Sequence, residues 1–203
     1  MSRRLVALTL DTLDDLPSSC RSCVFWELDP AAGAQVARDG GIALEKEAWL
    51  SDTLLEWGSC GQLAYVDGRP AGYALFAPPA YVPRSMAFPT APVSADAVLL
   101  MTARVQPEFA GAGLGRMLIQ AVVGDVARRN LRAVEAFGKR GETTGCLLPA
   151  DMLRAVGFKT VRQHRSVPRL RLDIKSTATW REDVEHAVER IFTSMSHPAP
   201  APR

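Results

Sequence analysis

VQPEFAGAGLGRMLIQAVV, residues Val105–Val123, is the stretch on which the fold turns. An extended apolar segment runs into Pro107, and the alternating glycines Gly111, Gly113 and Gly115 follow. From there Leu114, Met117, Leu118, Ala121, Val122 and Val126 recur at the spacing of one helical face. Glycine costs backbone entropy, so three so close together need a reason beyond packing. The first N–H groups of a helix have no partner inside it and carry partial positive charge. Glycines bare those groups, and the passage from strand through glycines to helix predicts a seat for a phosphate or pyrophosphate. A helix cap without a ligand is the plainer alternative.

Two familiar phosphate loops do not fit. A nucleotide triphosphatase loop needs Lys and Ser or Thr after its last glycine, and here Arg116 and Met117 follow Gly115. The dinucleotide fingerprint G-x-G-x-x-G places its third glycine at Arg116 or Leu118, depending on the starting glycine, although Glu135 lies about 20 residues on, as that pattern asks.

Working outward, AVLLMTARVQP before the glycines reads as an apolar strand buried on both faces, and LRAVEAFG after the helix as another strand. Upstream, RRLVALTL is a strand, DTLDDLPSSCRSCVFWEL a short helix and loop, and the Gly- and Ala-rich residues after it a joint. ALEKEAWLSDTLLEW carries Ala48, Leu50, Leu54, Leu55 and Trp57 on a helical stripe that Gly58 stops. Asp67-Gly68 joins two β-rich runs into a hairpin. The proline-rich stretch from Ala77 to Asp96 is an irregular loop of the kind that often carries function. Downstream, LPADMLRAVGF is a helix closed by Gly157, and KTVRQHRSVPRLRLDI two strands broken at Pro168. Thr179 to Met195 forms an amphipathic helix and SHPAPAPR a disordered tail. The expected organisation is one domain over residues 1–175, a helix over 176–195 and a tail over 196–203. The class is α/β, a mixed sheet with helices on its faces.

Composition narrows the function. With 203 residues and 47% apolar content the chain can build a sizeable core. A net charge of +2 favours neither nucleic acid nor an anionic membrane, and no apolar run reaches a membrane span. The N-terminus turns acidic early and lacks a cleavage pattern, so the expected location is cytoplasmic, with Cys20, Cys23, Cys60 and Cys146 reduced. Cys20 and Cys23 form a C-x-x-C without the second pair a zinc site asks for, so no metal is expected. His164, His186 and His197 fit no triad or metal spacing and read as structural or surface residues.

VQPEFAGAGLGRML resembles motif A of the GNAT superfamily of acyl-CoA-dependent N-acyltransferases, V-x-P-[DE]-[YF]-[RQ]-G-x-G-[IL]-G. Val105, Pro107, Glu108, Phe109, Gly111, Gly113, Leu114 and Gly115 match, and the order of elements agrees over roughly residues 3–174. Ala110 departs, standing where Arg or Gln is usual. The resemblance implies a mostly antiparallel sheet with one splayed parallel pair and helices on both faces. It implies acetyl-CoA as co-substrate, with its pyrophosphate on Gly111, Ala112, Gly113, Leu114, Gly115 and Arg116. Its pantetheine arm would lie along Ala103, Arg104 and Val105, and the Val105 N–H would polarise the thioester carbonyl.

The implied reaction is direct attack of a primary amine, of a small molecule or a protein, on the thioester. An alkylamine with a pKa of about 10.4 must first lose a proton. Glu135, in AVEAF, is the first candidate base, because some peptide-amine acetyltransferases of the superfamily carry a Glu on this strand. Glu27, in CVFWEL, is the second. The family's usual acid, a Tyr four residues before Gly-Phe, falls on Leu153. Ala110 and Leu153 leave an alternative open, a catalytically inactive acyl-CoA-binding regulator. The apolar stripe of the last helix must bury on its own domain or on a second subunit, and a homodimer is the expectation.

Overall fold

The computed structural model describes residues 2–141 and 145–174. The expected helix over 176–195 and the tail over 196–203, and with them the basis for a homodimer, lie outside the described residues. In chain order the elements are β1 (Arg3–Ala7), α1 (Ser18–Arg21), α2 (Pro30–Asp39), α3 (Ile42–Glu56), β2 (Gly61–Val66) and β3 (Arg69–Ala77). After the proline loop come β4 (Ala97–Val105), α4 (Leu114–Arg128), β5 (Ala133–Lys139), β6 (Leu148–Pro149), α5 (Ala150–Ala155), β7 (Lys159–Arg162) and β8 (Arg169–Asp173). The strands form one sheet in the order β1-β2-β3-β4-β5-β8-β7, with β6 beside β5. Neighbours run antiparallel except β4–β5 and β5–β6. The expected mixed sheet with one parallel pair of long strands is what the chain forms.

Each face of the sheet carries its own core. Leu114, Leu118, Val122 and Val126 of α4 and Leu153 of α5 pack with Phe76, Val98, Leu100 and Val134 on one side. Leu50 of α3 and Trp26 pack with Leu63, Tyr73, Leu99 and Phe137 on the other. Each such fully buried side chain contributes about 1.5–3 kcal/mol. Ile119 and Val123 join the buried face of α4, while Met117 and Ala121 are only half-buried.

Three local expectations are corrected. The Gly- and Ala-rich joint is a ten-residue helix, α2. It buries no side chain and is held by its ends: the Asp29 carboxylate accepts from the N–H groups of Ala31 and Ala32, Pro30 opens the first turn, and Gly40 closes the helix at φ 76°. Leu55, expected on the buried stripe of α3, is 82% exposed. It lies about 140° round the helix from Leu50, whose face is shared by Lys46 and Thr53. Finally, Leu148 and Pro149 do not begin the helix that Gly157 was expected to close but pair with Gly138 and Lys139 as β6, and that helix, α5, starts at Ala150.

Candidate active site

β4 and β5 are bonded only at one end. Ala97, Val98 and Leu99 pair with Ala133, Val134 and Glu135, and the two strands then part. The cause lies on the other edge of β4. Leu75 pairs with Thr102 but Phe76 with Leu100, so Met101 is an extra residue, a bulge. A bulge bends its strand and resets which side each residue faces. Leu100 lies in the core under α4 and Met101 in the opposite core, yet Ala103 and Val105 pack again on the α4 side. β5 meanwhile turns to β8 and β6 for its partners.

The end of β4 therefore offers backbone groups to an open gap. Gln106 N–H donates to Ala71 O at 2.8 Å. Alternation along an antiparallel ladder then turns the N–H and C=O of Val105 and Ala103 away from β3, toward the gap. Ala103, Arg104, Val105, Gly115, Leu118, Ile119 and Met152 line a cleft at this place. Four of the residues expected to hold the cofactor thus meet in one cleft.

The glycine segment closes one end of it. Gly111 and Gly113 have φ values of 77° and 73°, a region costly for other residues, and Gly113 caps α4. The first N–H groups of α4 point out along its axis beside this turn. Gly115 is helical and buried, leaving the helix start open to the cleft. Ala112 packs on the core while Arg116 sits half-buried in the first turn. Sequence reasoning missed one cation: Arg3 on β1 brings its Nη1 to 3.7 Å from where a Cβ on Gly113 would lie. Arg3 is remote in sequence, and only the β1–β2 pairing reveals it.

On the opposite face the gap is walled by the segment after α1 and the residues before β6. Arg104, opposite Tyr73 in the β3–β4 register, donates from Nη2 to Gly145 O. The Tyr73 hydroxyl is hydrogen-bonded to Cys20 Sγ, and Cys23 Sγ lies 3.8 Å from Cys146 Sγ. The two cysteines of the C-x-x-C thus face different partners. Hydrogen bonding with Cys146 pulls the Cys23 thiol down to about 6, and the same contact pushes Cys146 up. Burial, then the bond to Cys20, raises Tyr73. Phe25, Trp26, Phe88 and Phe137 form a ring cluster nearby, with Phe88 and Phe137 stacked at 4.5 Å. Among the described residues no group of three or more His, Cys, Asp or Glu is placed to hold a metal ion.

The two expected bases are both tied down. Glu135 is 0% exposed. Its Oε1 accepts from Arg171 at 3.2 Å, while its Oε2 accepts from Ser94 N–H at 3.2 Å and lies 3.3 Å from Arg169 Nη1. It sits at the bonded end of β4–β5, opposite Leu99. Glu27 is buried against Lys46 through Oε1 and accepts from Trp26 N–H at 3.1 Å through Oε2. Leu153 is wholly buried, so the acid position is apolar. The His164 ring serves a turn, accepting at Nδ1 from Ser166 and Val167 N–H.

Comparison with known proteins agrees with the fold. A family model described as the acetyltransferase (GNAT) family matches residues 20–143. No curated protein matches the chain by sequence. Among solved structures, the PaiA N-acetyltransferase of Thermoplasma acidophilum, crystallised with coenzyme A, superposes with a TM-score of 0.58 at 13% identity, over 85% of this chain and 99% of that one. An N-acetyltransferase of Staphylococcus aureus Mu50 gives 0.57 at 13% identity, over 86% and 100%. Ard1 of Thermoplasma volcanium gives 0.53 at 11% identity, over 87% and 100%. At these identities the likeness is one of fold. No helix among the described residues is long and apolar enough to cross a membrane.

Proposed function

The chain belongs to the acetyltransferase (GNAT) family, and from that premise we propose that it transfers the acetyl group of acetyl-CoA to a primary amine of a small molecule or protein. The observation that carries this reading is the unpaired edge of β4, where Ala103 and Val105 face a gap that ends at the glycine-capped start of α4. An extended pantetheine arm added along that edge finds peptide-like partners, as an extra strand would. Its diphosphate then falls on the N–H groups of residues 111–116, near Arg3. The superposed PaiA N-acetyltransferase, crystallised with coenzyme A, supports the choice of cofactor.

The thioester carbonyl lies in the gap, where the Val105 N–H stabilises the oxyanion that forms when the amine attacks. The amine enters from the face of Phe25, Trp26, Phe88 and Tyr73. The placement of Glu135 and Glu27 argues against either as base: each has its oxygens engaged inside the protein. In our reading they anchor the walls, and the ammonium proton leaves to water. The thiolate of coenzyme A departs without an enzymic acid, since a thiol pKa of about 8.5 makes it a tolerable leaving group.

The test is incubation with acetyl-CoA and a panel of amines and peptides, read by free coenzyme A and by acetylated product. Turnover on at least one amine is expected. Tight acetyl-CoA binding without turnover on any of them would favour the regulator reading, which the apolar Leu153 keeps in view.

A further inference from the structure

Three thiols converge where the mechanism uses none. Cys23 lies just past α1, on the wall of the proposed amine entrance. Cys146 is 123 positions away in sequence yet in contact through its sulfur at 3.8 Å. Its neighbours span the gap: Gly145 O is held by Arg104 of β4, and Leu148 pairs with Gly138 of β5. A bond between these two sulfurs would cross the mouth between the diverging strands. Cys20, the sequence neighbour of Cys23, has its sulfur on the Tyr73 hydroxyl instead. Both members of the pair are partly exposed, whereas Cys60 is buried in the core.

We propose that Cys23 and Cys146 form a reversible disulfide under peroxide, a clamp that closes the amine entrance. The closing effect rests on the proposed reading of that face; the bond itself does not. Cys23 is the attacking sulfur. Hydrogen bonding with Cys146 draws its pKa down, burial and then Glu27 oppose it, and the backbone hydrogen bond at Phe25 and, more weakly, Lys46 reinforce it. As thiolate it attacks a peroxide oxygen: an S–O bond forms, the O–O bond breaks, and hydroxide leaves to become water. The Cys146 thiol then gives up its proton, and its sulfur attacks Cys23 sulfur. The S–S bond forms, the S–O bond breaks, and a second water departs. Two thiols lose two electrons and one peroxide becomes two waters. Closing from 3.8 Å to a disulfide length of about 2.05 Å asks for a small shift of either segment.

The full chain is treated with hydrogen peroxide, its remaining thiols are alkylated, and it is digested with trypsin. Cleavage after Arg21 separates Cys20 from Cys23, so the partners are unambiguous. Expected is a linked pair of peptides, 22–38 with 141–154, with Cys20 and Cys60 alkylated and dithiothreitol restoring both thiols. A Cys20–Cys23 bridge, a bridge between chains only, or no bridge at all would overturn the proposal. In Cys146→Ser, Cys23 should stop at a sulfenic acid that dimedone traps; should that variant not fold, Cys23→Ser should leave Cys146 alkylated after the same treatment. Oxidised protein should lose at least about tenfold of its amine acetylation, recovered on reduction. A bridge that leaves acetylation intact would refute the clamp. Should no amine be acetylated even in reduced protein, the functional reading and the closing effect that rests on it both fail, while the bond itself fails only if the linked peptides are also missing.

Discussion

Gly72 and Arg104 stand so close across β3 and β4 that a Cβ on Gly72 would lie 2.7 Å from the Arg104 carbonyl oxygen. The same Cβ would meet Val105 Cα at 3.2 Å and Leu118 Cδ1 at 3.3 Å. Any side chain at 72 therefore forces a shift between β3 and the end of β4 that lines the cleft. Misplacing a reacting group by about an ångström can cost on the order of 100-fold. Gly72→Ala should lower kcat/KM for acetyl-CoA by roughly 10–100-fold in a protein whose circular dichroism is unchanged. Wild-type kinetics in the folded variant would show that the position of β4 does not govern the reaction.

Arg3 reaches the glycine turn from a strand that the sequence does not link to it. An exposed guanidinium acts on a diphosphate through a field that salt screens. Arg3→Ala should weaken coenzyme A binding by roughly three- to tenfold at low ionic strength, and the difference should shrink near 1 M salt, where the screening length is about 3 Å. Calorimetric titration at two salt concentrations checks this. Equal affinities for both proteins at low salt would remove Arg3 from the cradle.

Glu135 is held by Arg169, Arg171 and Ser94. Removing one partner of a buried ion pair typically costs about 3–5 kcal/mol. Glu135→Gln should therefore lower stability by about 3 kcal/mol in urea unfolding while kcat per folded molecule stays within about twofold. The wild-type kcat/KM should climb with pH toward an amine pKa of about 10.4. A kcat loss of about 100-fold or more, with stability unchanged, would restore Glu135 as the base.

Cys23 has its pKa lowered to about 6 by the bond with Cys146. The thiolate is the form favoured above that value, so Cys23 should alkylate with a midpoint near pH 6, where an ordinary thiol needs about 8.5. In Cys146→Ala the hydrogen bond is lost and the midpoint should move up. Iodoacetamide rates read by peptide mass across pH 5–9 decide it; an unshifted midpoint in the variant would mean that Cys146 does not set it.

The glycine-rich turn, the buried strand before it and the helix after it were legible because each leaves a local mark: positive-φ glycines, a continuous apolar run, a 3.6-residue stripe. The Asp67-Gly68 hairpin was legible for the same reason, with φ values of 47° and 80° at its corner. The helix α2 was overlooked because it buries nothing, although Asp29, Pro30 and Gly40 signalled its ends. Glu135 was placed on the right strand, but its arginine partners sit on β8, and long-range pairing leaves no mark in local sequence. The Cys23–Cys146 contact and Arg3 at Gly113 belong to the same class, since both depend on which distant segments become neighbours.

The most direct measurement is a crystal structure of the protein with coenzyme A. The diphosphate should lie on the main-chain N–H groups of residues 111–116, and the pantetheine should run along Ala103 and Val105 with its sulfur between β4 and β5. A diphosphate bound elsewhere, or a pantetheine that leaves the Val105 N–H without a partner, would contradict the account.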